Sequence, residues 1–350
     1  MTVFWPDYIE SSCRRNHTYF DSSNFLLTAY HTLALISIPL SIFTIFTIIR
    51  VTPEKMKNMK VPLTIAQVWS TNLDVFFTVT AAPMTFSPSA AGSFMGILTM
   101  LEVPPIWLAY MGQVSIMMMA VSFVMLLENR HSQISGITLK ISKLRTRIIY
   151  FAINYLISFV ICLPYYLENA DQLEMRKSVL QRIPCPTIDF YEKNAIVLLK
   201  GGELMPFLAT VGGLGIILVQ TVFFTSHTVY KLNYGKCANV TESTRALQRR
   251  FLRYVVLQVT IPWTVLAGPI VYSLYAGNKN YYSQALNNLC MLSMAFHGPL
   301  STCCTLFVIT PYRQFVQNIF RGNREYDPNN MWTTAATKPE IYGMRTSIAS

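Results

Sequence analysis

The sequence predicts an all-α membrane protein: a bundle of seven transmembrane helices with its N-terminus outside the cell and its C-terminus in the cytoplasm. Hydrophobic residues make up 52% of the 350-residue chain and charged residues only 13%, whereas soluble domains carry about 25% charged residues. Seven apolar segments are long enough to cross a hydrocarbon core of about 30 Å as helices. The basic residues between them are concentrated on one side of the membrane.

The apolar segments set the organisation of the chain. The seven predicted spans are residues 26–49, 61–84, 104–127, 148–167, 203–230, 254–276 and 288–310. We divide the chain into an extracellular N-terminal segment, the bundle and a cytoplasmic tail, at residues 1–25, 26–310 and 311–350. A weaker apolar stretch, 92–101, is too short to cross, and we expect it to extend or cap the third span from outside. If it joined a full span instead, the count would be eight.

The third span carries no charge from Pro104 to Leu127 and ends directly on Glu128, Asn129 and Arg130. Its few polar residues and its charged end predict a helix that is central to the bundle, with a charged cluster at one membrane surface.

The orientation follows from the basic residues. Twenty of the 28 lysines and arginines lie in the connections after spans one, three and five and in the tail, and eight lie on the other side. Because basic loops are retained in the cytoplasm, we place the N-terminus outside. The net charge of +11 therefore describes membrane topology and does not indicate a nucleic-acid partner.

Two features of the extracellular side are candidates for covalent modification. Asn16 begins an Asn-X-Thr sequence outside the membrane, where it is an acceptor for N-glycosylation. Cys13 and Cys185 are the two cysteines on that side, which is an oxidising environment. We hypothesise that they form a disulfide; the alternative is two free thiols or pairing between molecules.

Asp74 is the one acid well inside a predicted span, where a charge is costly and usually faces the bundle. It is either a conformational or ion-linked site with Asn72 nearby, or a buried acid that only locks packing. We expect His31, His227 and His297, on three different spans, to form hydrogen bonds between helices in preference to ligating a metal. No metal or cofactor is predicted.

The motifs exclude some functions and leave a receptor. The chain has no G-x-S-x-G, H-E-x-x-H or P-loop sequence and no pair of carboxylates at membrane depth, so we do not expect an enzyme. Internal repeats and a selectivity filter, which favour a transporter or a channel, are not evident. The remaining class is a receptor whose outer half binds a ligand and whose basic inner loops meet a cytoplasmic partner.

The predicted ligand site lies on the outer and middle parts of the third span. Aromatic, methionine and single amide groups suit small, mostly apolar ligands. Tyr110 and Met117 are seven residues apart and share a helix face. The candidates are Trp107, Tyr110, Gln113, Met117 and Met118. The alternative for each is an ordinary contact between helices.

Several stretches, in order along nearly the whole chain, resemble the nematode chemosensory receptors called serpentine receptor class H. They are Tyr19-Phe20-Asp21-Ser22, Thr52-Pro53-Glu54-Lys55-Met56-Lys57, Leu126-Leu127-Glu128-Asn129-Arg130, Ile183-Pro184-Cys185, Tyr281-Tyr282-Ser283-Gln284-Ala285-Leu286-Asn287-Asn288, His297-Gly298-Pro299-Leu300-Ser301-Thr302 and Pro311-Tyr312-Arg313. The resemblance implies a G-protein-coupled chemoreceptor in the plasma membrane of a sensory cilium. Its partners would be a small environmental molecule, a heterotrimeric G protein and membrane lipid.

The coupling residues can be carried over only in part. Glu128-Asn129-Arg130 resembles the acid-arginine-tyrosine motif of rhodopsin-like receptors, but the arginine comes one place late and lies about 200° from the acid around a helix. The role of that arginine therefore cannot simply be transferred. A basic cluster would face a G protein or anionic lipid: Arg245, Arg249, Arg250 and Arg253. The alternative functions are a seven-span ligand-gated channel or transporter, and a non-signalling scaffold or decayed receptor.

Overall fold

The computed structural model describes residues 18–134, 137, 139–161, 163–167, 171–183, 185–198, 205–234 and 242–321. Seven helices form the bundle. They are α1 Ser23–Val51, α2 Lys57–Val75, α3 Pro105–Ser132, α4 Leu144–Val160, α5 Met205–Tyr234, α6 Glu242–Lys279 and α7 Gln284–Val308. By length and composition, α1, α3, α7 and most of α5 and α6 can each cross a membrane, while α2 and α4 are shorter, at 19 and 17 residues.

Helix α3 lies at the centre of the bundle, as its uncharged sequence predicted. In its most apolar window 78% of the residues are buried, compared with 39% in α1 and 50% in α7. Pro105 occupies its first turn, where the missing N–H of proline costs nothing. Helix α1 begins equally clearly, because the Ser22 hydroxyl accepts a hydrogen bond from the Phe25 N–H at 3.1 Å.

Helix α2 ends earlier than the predicted span 61–84. A π-helical turn, Phe76–Thr80, continues it by five residues. The chain then leaves the helix at Ala82, whose φ of 45° lies in the left-handed region. Pro83 begins a strand, so the last apolar residues of the predicted span belong to a loop structure outside the helix.

Three short strands form an antiparallel sheet at one end of the bundle, which we call the sheet end. The strands are β1 Pro83–Thr85, β2 Ala91–Phe94 and β3 Ala195–Val197, in the order β1-β2-β3. The weak apolar stretch 92–101 thus consists of β2 and a helical turn, Ile97–Met100. It lies outside α3 and is not an additional span, as predicted.

Polar side chains of the bundle hold the sheet end in place. The Tyr30 hydroxyl donates to the carbonyl of the first β1 residue at 2.9 Å. From the start of α7, the Gln284 amide donates to the Thr85 carbonyl at 3.0 Å, and the Asn288 amide donates to the Phe20 carbonyl at 2.9 Å. These bonds connect the first loop and the N-terminal segment to α1 and α7.

A loop helix, Gln172–Arg182, packs beside β3. The Gln172 amide both donates to and accepts from the backbone of Val197, at 3.2 and 3.0 Å. The buried Arg176 guanidinium donates to the Ala195 carbonyl, and burial lowers the pKa of this group. The connection between α4 and α5 is therefore folded onto the sheet by side-chain-to-backbone bonds.

The opposite end, which we call the tail end, carries a tail helix, Thr310–Phe320. The Tyr312 side chain is buried, and its hydroxyl forms a hydrogen bond of 2.8 Å with Thr52 at the end of α1. Phe315 stacks on Phe43 of α1 with ring centroids 6.3 Å apart. The first part of the segment predicted as the tail is thus a helix that packs against the bundle.

Candidate functional site

The triplet Glu128-Asn129-Arg130, at the tail end of α3, is connected to α4 by a salt bridge. Glu128 is fully buried, and its Oε2 lies 2.6 Å from Nη2 of Arg147, which is in the first turn of α4. The same Arg147 nitrogen donates to Oδ1 of Asn129 at 2.8 Å. The Asn129 amide in turn donates to the Asn58 carbonyl of α2 at 3.1 Å. Arg147 is thus the ionic partner of Glu128, and Asn129 extends the connection to a third helix.

Arg130 points in a different direction. Its Nη1 donates to Oε1 of Gln133, one turn further along, at 3.3 Å. Tyr312 of the tail helix lies close enough to influence the charge of this guanidinium. The sequence-based conclusion that Glu128 and Arg130 face different neighbours is therefore confirmed.

The next residue, His131, makes a fourth connection. Its Nε2 lies 2.7 Å from Nδ1 of His227 on α5, and its ring is fully buried. The Phe224 ring packs on it edge to face, with centroids 5.2 Å apart. His227 was expected to form a hydrogen bond between helices, and it does. His131 was not singled out, although its position directly after the triplet was the available signal.

Three of the last residues of α3, Glu128, Asn129 and His131, therefore contact α4, α2 and α5 in turn. Successive residues of a helix point about 100° apart, so a short run can reach every neighbour of a central helix. Any shift or rotation of α3 at the tail end has to break or exchange these polar contacts. We call these contacts of Glu128, Asn129 and His131 with α4, α2 and α5 the latch.

Two of the predicted ligand residues, Tyr110 and Gln113, contact α4 and the turn after it. The Tyr110 hydroxyl donates to the Phe159 carbonyl of α4 at 2.5 Å. The Tyr166 hydroxyl donates to Oε1 of Gln113, and the Tyr110 and Tyr166 rings lie 5.2 Å apart. Trp107 packs edge-on against Tyr110 and is 37% exposed. These side chains form an aromatic cluster between α3 and α4.

The two methionines are buried deeper in the bundle. Met117 packs against the backbone of α5, because a Cβ at Gly213 would come within 2.5 Å of its terminal methyl carbon. Ile161 lies on the same side, 3.5 Å from that Cβ position. Met118 is 8% exposed. Tyr110, Met117 and Glu128 thus lie on the side of α3 that faces α4 and α5, and the spacing of Tyr110 and Met117 predicted their shared face.

Asp74 of α2 lies against α7 in the interior of the bundle. Its Oδ1 is 3.7 Å from Nδ1 of His297, and the two side chains are 1% and 2% exposed. Asn72 is exposed instead, and its amide donates to the Ser115 hydroxyl of α3 at 3.2 Å. The amide that we expected near the acid therefore points away from it.

The basic cluster of α6 lies at the tail end. Arg249 donates to the Leu232 carbonyl near the end of α5 at 3.0 Å, and Arg253 is exposed. Arg245 and Arg250 belong to the same helix, but their side chains lie outside the described residues.

The modification sites fall partly outside the described residues. Cys185 is disulfide-bonded, while Asn16 and Cys13 both lie outside the described part of the chain. Among the cysteines that the structure describes, the three on α7 are free. The Cys13–Cys185 pairing and the glycan at Asn16 therefore remain predictions.

The fold and the latch define a class: a multi-pass membrane protein built as a seven-helix bundle around α3. A family model described as serpentine type 7TM GPCR chemoreceptor Srh matches residues 21–322. Serpentine receptor class H-72 of Caenorhabditis elegans is 27% identical over 331 residues, which cover 93% of this chain and 94% of that protein. The chain belongs to the Srh family of serpentine chemoreceptors, as its sequence resemblance predicted, and is a multi-pass protein of the plasma membrane.

Proposed function

We propose that this receptor binds a small environmental molecule at the sheet end and signals to a heterotrimeric G protein at the tail end. The observation that carries the proposal is the continuity of α3. One side of this buried helix holds Tyr110 and Met117 and ends at the Glu128–Arg147 salt bridge. A change in how α3 packs on α4 and α5 would therefore alter both the contacts of Tyr110 and Met117 and the Glu128–Arg147 salt bridge.

The direction of signalling rests on the charge distribution. The tail end carries the loops and tail that hold 20 of the 28 basic residues, so we place it in the cytoplasm. The sheet end is then extracellular, which agrees with the disulfide at Cys185, since disulfides persist in oxidising compartments.

The chemistry of the proposed ligand follows from the side chains between α3, α4 and α5. Tyr110, Tyr166 and Trp107 supply aromatic faces, and Met117 and Met118 supply an adaptable apolar surface. The amide of Gln113 supplies a hydrogen-bonding group that Tyr166 occupies in this conformation. We expect a small, mostly apolar ligand with one polar group that competes with Tyr166 for this amide.

Coupling then consists of a shift between two arrangements of α3. A ligand that replaces the Tyr166–Gln113 bond loosens α3 from α4, and its binding energy favours the arrangement in which Glu128 separates from Arg147. The exposed Arg253 and the neighbouring arginines of α6 offer a positive surface to the G protein, or to anionic lipid.

The test is a screen of small apolar compounds on cells that express the receptor, read out as a second messenger. We expect a response that disappears when the G protein is depleted. A ligand-evoked current in cells without G-protein signalling would favour the ligand-gated channel or transporter. Location in a sensory cilium, implied by the family, is tested by imaging a tagged receptor in chemosensory neurons.

A further inference from the structure

The pair formed by Asp74 and His297 has an unusual hydrogen-bonding environment. Neither carboxylate oxygen of Asp74, nor Nε2 of His297, has a hydrogen-bond partner among the described residues. His297 Nδ1 lies 2.7 Å from the Met294 carbonyl, which accepts the hydrogen on that nitrogen. The Asp74 carboxylate, 3.7 Å away, therefore receives no hydrogen bond from the imidazole.

Only one protonation state of the pair avoids a net charge in the membrane interior. An ionised carboxylate without donors in the membrane interior is very costly, and so is a lone imidazolium. The Nδ1 hydrogen of His297 is donated to the Met294 carbonyl. With this hydrogen in place, the pair is electrically neutral when it holds one further proton, on Asp74 or on Nε2 of His297. Loss of that proton leaves a net negative charge at a site that is 1 to 2% exposed.

Packing argues that the compensating cation is a proton and not a metal ion. A Cβ at Gly298 would overlap both carboxylate oxygens of Asp74, so the carboxylate lies directly against the backbone of α7. A hydrated metal ion has no room on that side of the acid. Within the described ranges, no group of three or more His, Cys, Asp or Glu side chains could hold a metal.

Among the described residues, the helices packed around the pair carry no other charged group in the middle of the membrane. Their titratable groups there are His31, which is exposed, and Tyr30 on α1, Tyr110 on α3, tyrosines on α6, and Cys290, Cys303 and Cys304 on α7. The charged groups and the remaining histidine lie near helix ends: Arg50 on α1, Lys57 and Lys60 on α2, Glu128, Arg130 and His131 on α3, and Arg249, Arg253 and Lys279 on α6. Tyr30 donates its hydroxyl to the sheet, and Glu128 pairs with Arg147. The titratable proton of the site is therefore held by Asp74 and His297 and by no neighbouring group among these.

We propose that Asp74 and His297 form a proton-binding site that joins α2 to α7 and holds one proton throughout the physiological pH range. Of the two interpretations that the sequence left open for Asp74, this proposal favours the ion-linked role. In the proposed receptor, which this consequence assumes, an arrangement that admits water between α2 and α7 would release the proton.

The test is the pH dependence of folding stability. In an unfolded chain an aspartate titrates near pH 4 and a histidine near pH 6.5. Above about pH 6.5 the unfolded pair holds no proton and the folded pair holds one, so stability falls as pH rises, by about tenfold in the folding equilibrium constant per pH unit. Between about pH 4 and 6.5 both states hold one proton, and this contribution is flat.

Each variant changes this profile differently. Asp74→Asn leaves a neutral imidazole in both states above about pH 6.5, so the fall disappears. His297→Gln leaves a protonated acid in the folded state, so the fall begins near pH 4 instead of pH 6.5. His31→Gln makes the same replacement at an exposed histidine and should keep the wild-type profile.

The measurement is the thermal unfolding midpoint of the purified full-length receptor in lipid nanodiscs, from pH 5 to 9. Profiles of Asp74→Asn and His297→Gln that both run parallel to wild type would overturn the proposal, as would a wild-type profile that does not fall above pH 6.5 relative to Asp74→Asn. If Asp74→Asn does not fold, the proposal is tested by comparing the pH at which stability begins to fall in His297→Gln and in His31→Gln. No signalling is measured, so failure here would leave the proposed coupling standing.

Discussion

Replacing Glu128 with glutamine should raise basal signalling by about 5- to 30-fold. The substitution keeps the size of the side chain and an oxygen for Arg147, but it removes the negative charge that lies 2.6 Å from the Arg147 guanidinium. Polar contacts to charged groups contribute about 1.5–3 kcal/mol and those between neutral groups about 0.5–1.5 kcal/mol, so the loss is about 1–2 kcal/mol. Such a loss changes a conformational equilibrium by about 5- to 30-fold.

The exposure of Arg147 limits this effect. A fully buried charge that loses its partner costs about 3–5 kcal/mol, but the Arg147 side chain is 24% exposed and can turn to water. A signalling arrangement that is about 1% populated without ligand would rise to about 5–25%. The assay is a second-messenger measurement without ligand, at matched surface expression.

Two comparisons separate the latch from a general loss of packing. Arg147→Gln should raise basal signalling at least as much as Glu128→Gln, because it leaves the fully buried Glu128 carboxylate without its partner. The double variant should resemble Glu128→Gln alone, because both substitutions remove one interaction. Arg130→Gln should have a smaller effect, since Arg130 donates to Gln133 and not to α4. Equal effects of Glu128→Gln and Arg130→Gln, or the reverse order, would refute the assignment of the latch to the α4-facing side of α3.

Two further predictions concern the fold. Gly298→Ala forces a methyl group into the Asp74 carboxylate and should lower the free energy of unfolding by about 1–3 kcal/mol. The methyl group of Gly212→Ala meets no atom within 4 Å, so this variant should be neutral or more stable by up to about 1 kcal/mol. Thermal unfolding of the two variants checks the difference, and equal losses of stability would contradict it. Non-reducing peptide mapping should recover Cys13 crosslinked to Cys185, and a crosslink from Cys185 to another cysteine would remove that pairing.

The sequence predicted the bundle well because membrane spans depend on length and polarity. Seven long apolar segments are a property of the chain that needs no knowledge of neighbours. The central position of α3 could be inferred in the same way, from its charged end and few polar residues. The end of α2 was misplaced because Ala82 leaves the helix through a left-handed conformation that apolarity does not report.

The sheet and the tail helix were not predicted, for different reasons. The strands are three or four residues long, and β2 pairs with β3 from a distant loop, so no local periodicity marks them. The tail helix did carry a signal. Tyr312, Phe315, Val316 and Ile319 recur at helical spacing, with Tyr312 and Val316 buried.

The partners of the polar residues could not be predicted. Sequence gives the depth of Glu128 and Asp74 in the membrane, but not which neighbouring helix each one faces. Arg147 and His297 were visible as a loop cation and a span histidine, and only the packing of α3 on α4 and of α2 on α7 joins them to these acids.

We propose that the tail end of this receptor activates a G protein under control of the latch. The proposal is tested by nucleotide exchange on a heterotrimeric G protein by the purified receptor in nanodiscs, without ligand. We expect weak exchange with wild type and an increase of about 5- to 30-fold with Glu128→Gln. No exchange with either folded protein, across the G-protein classes, would contradict it.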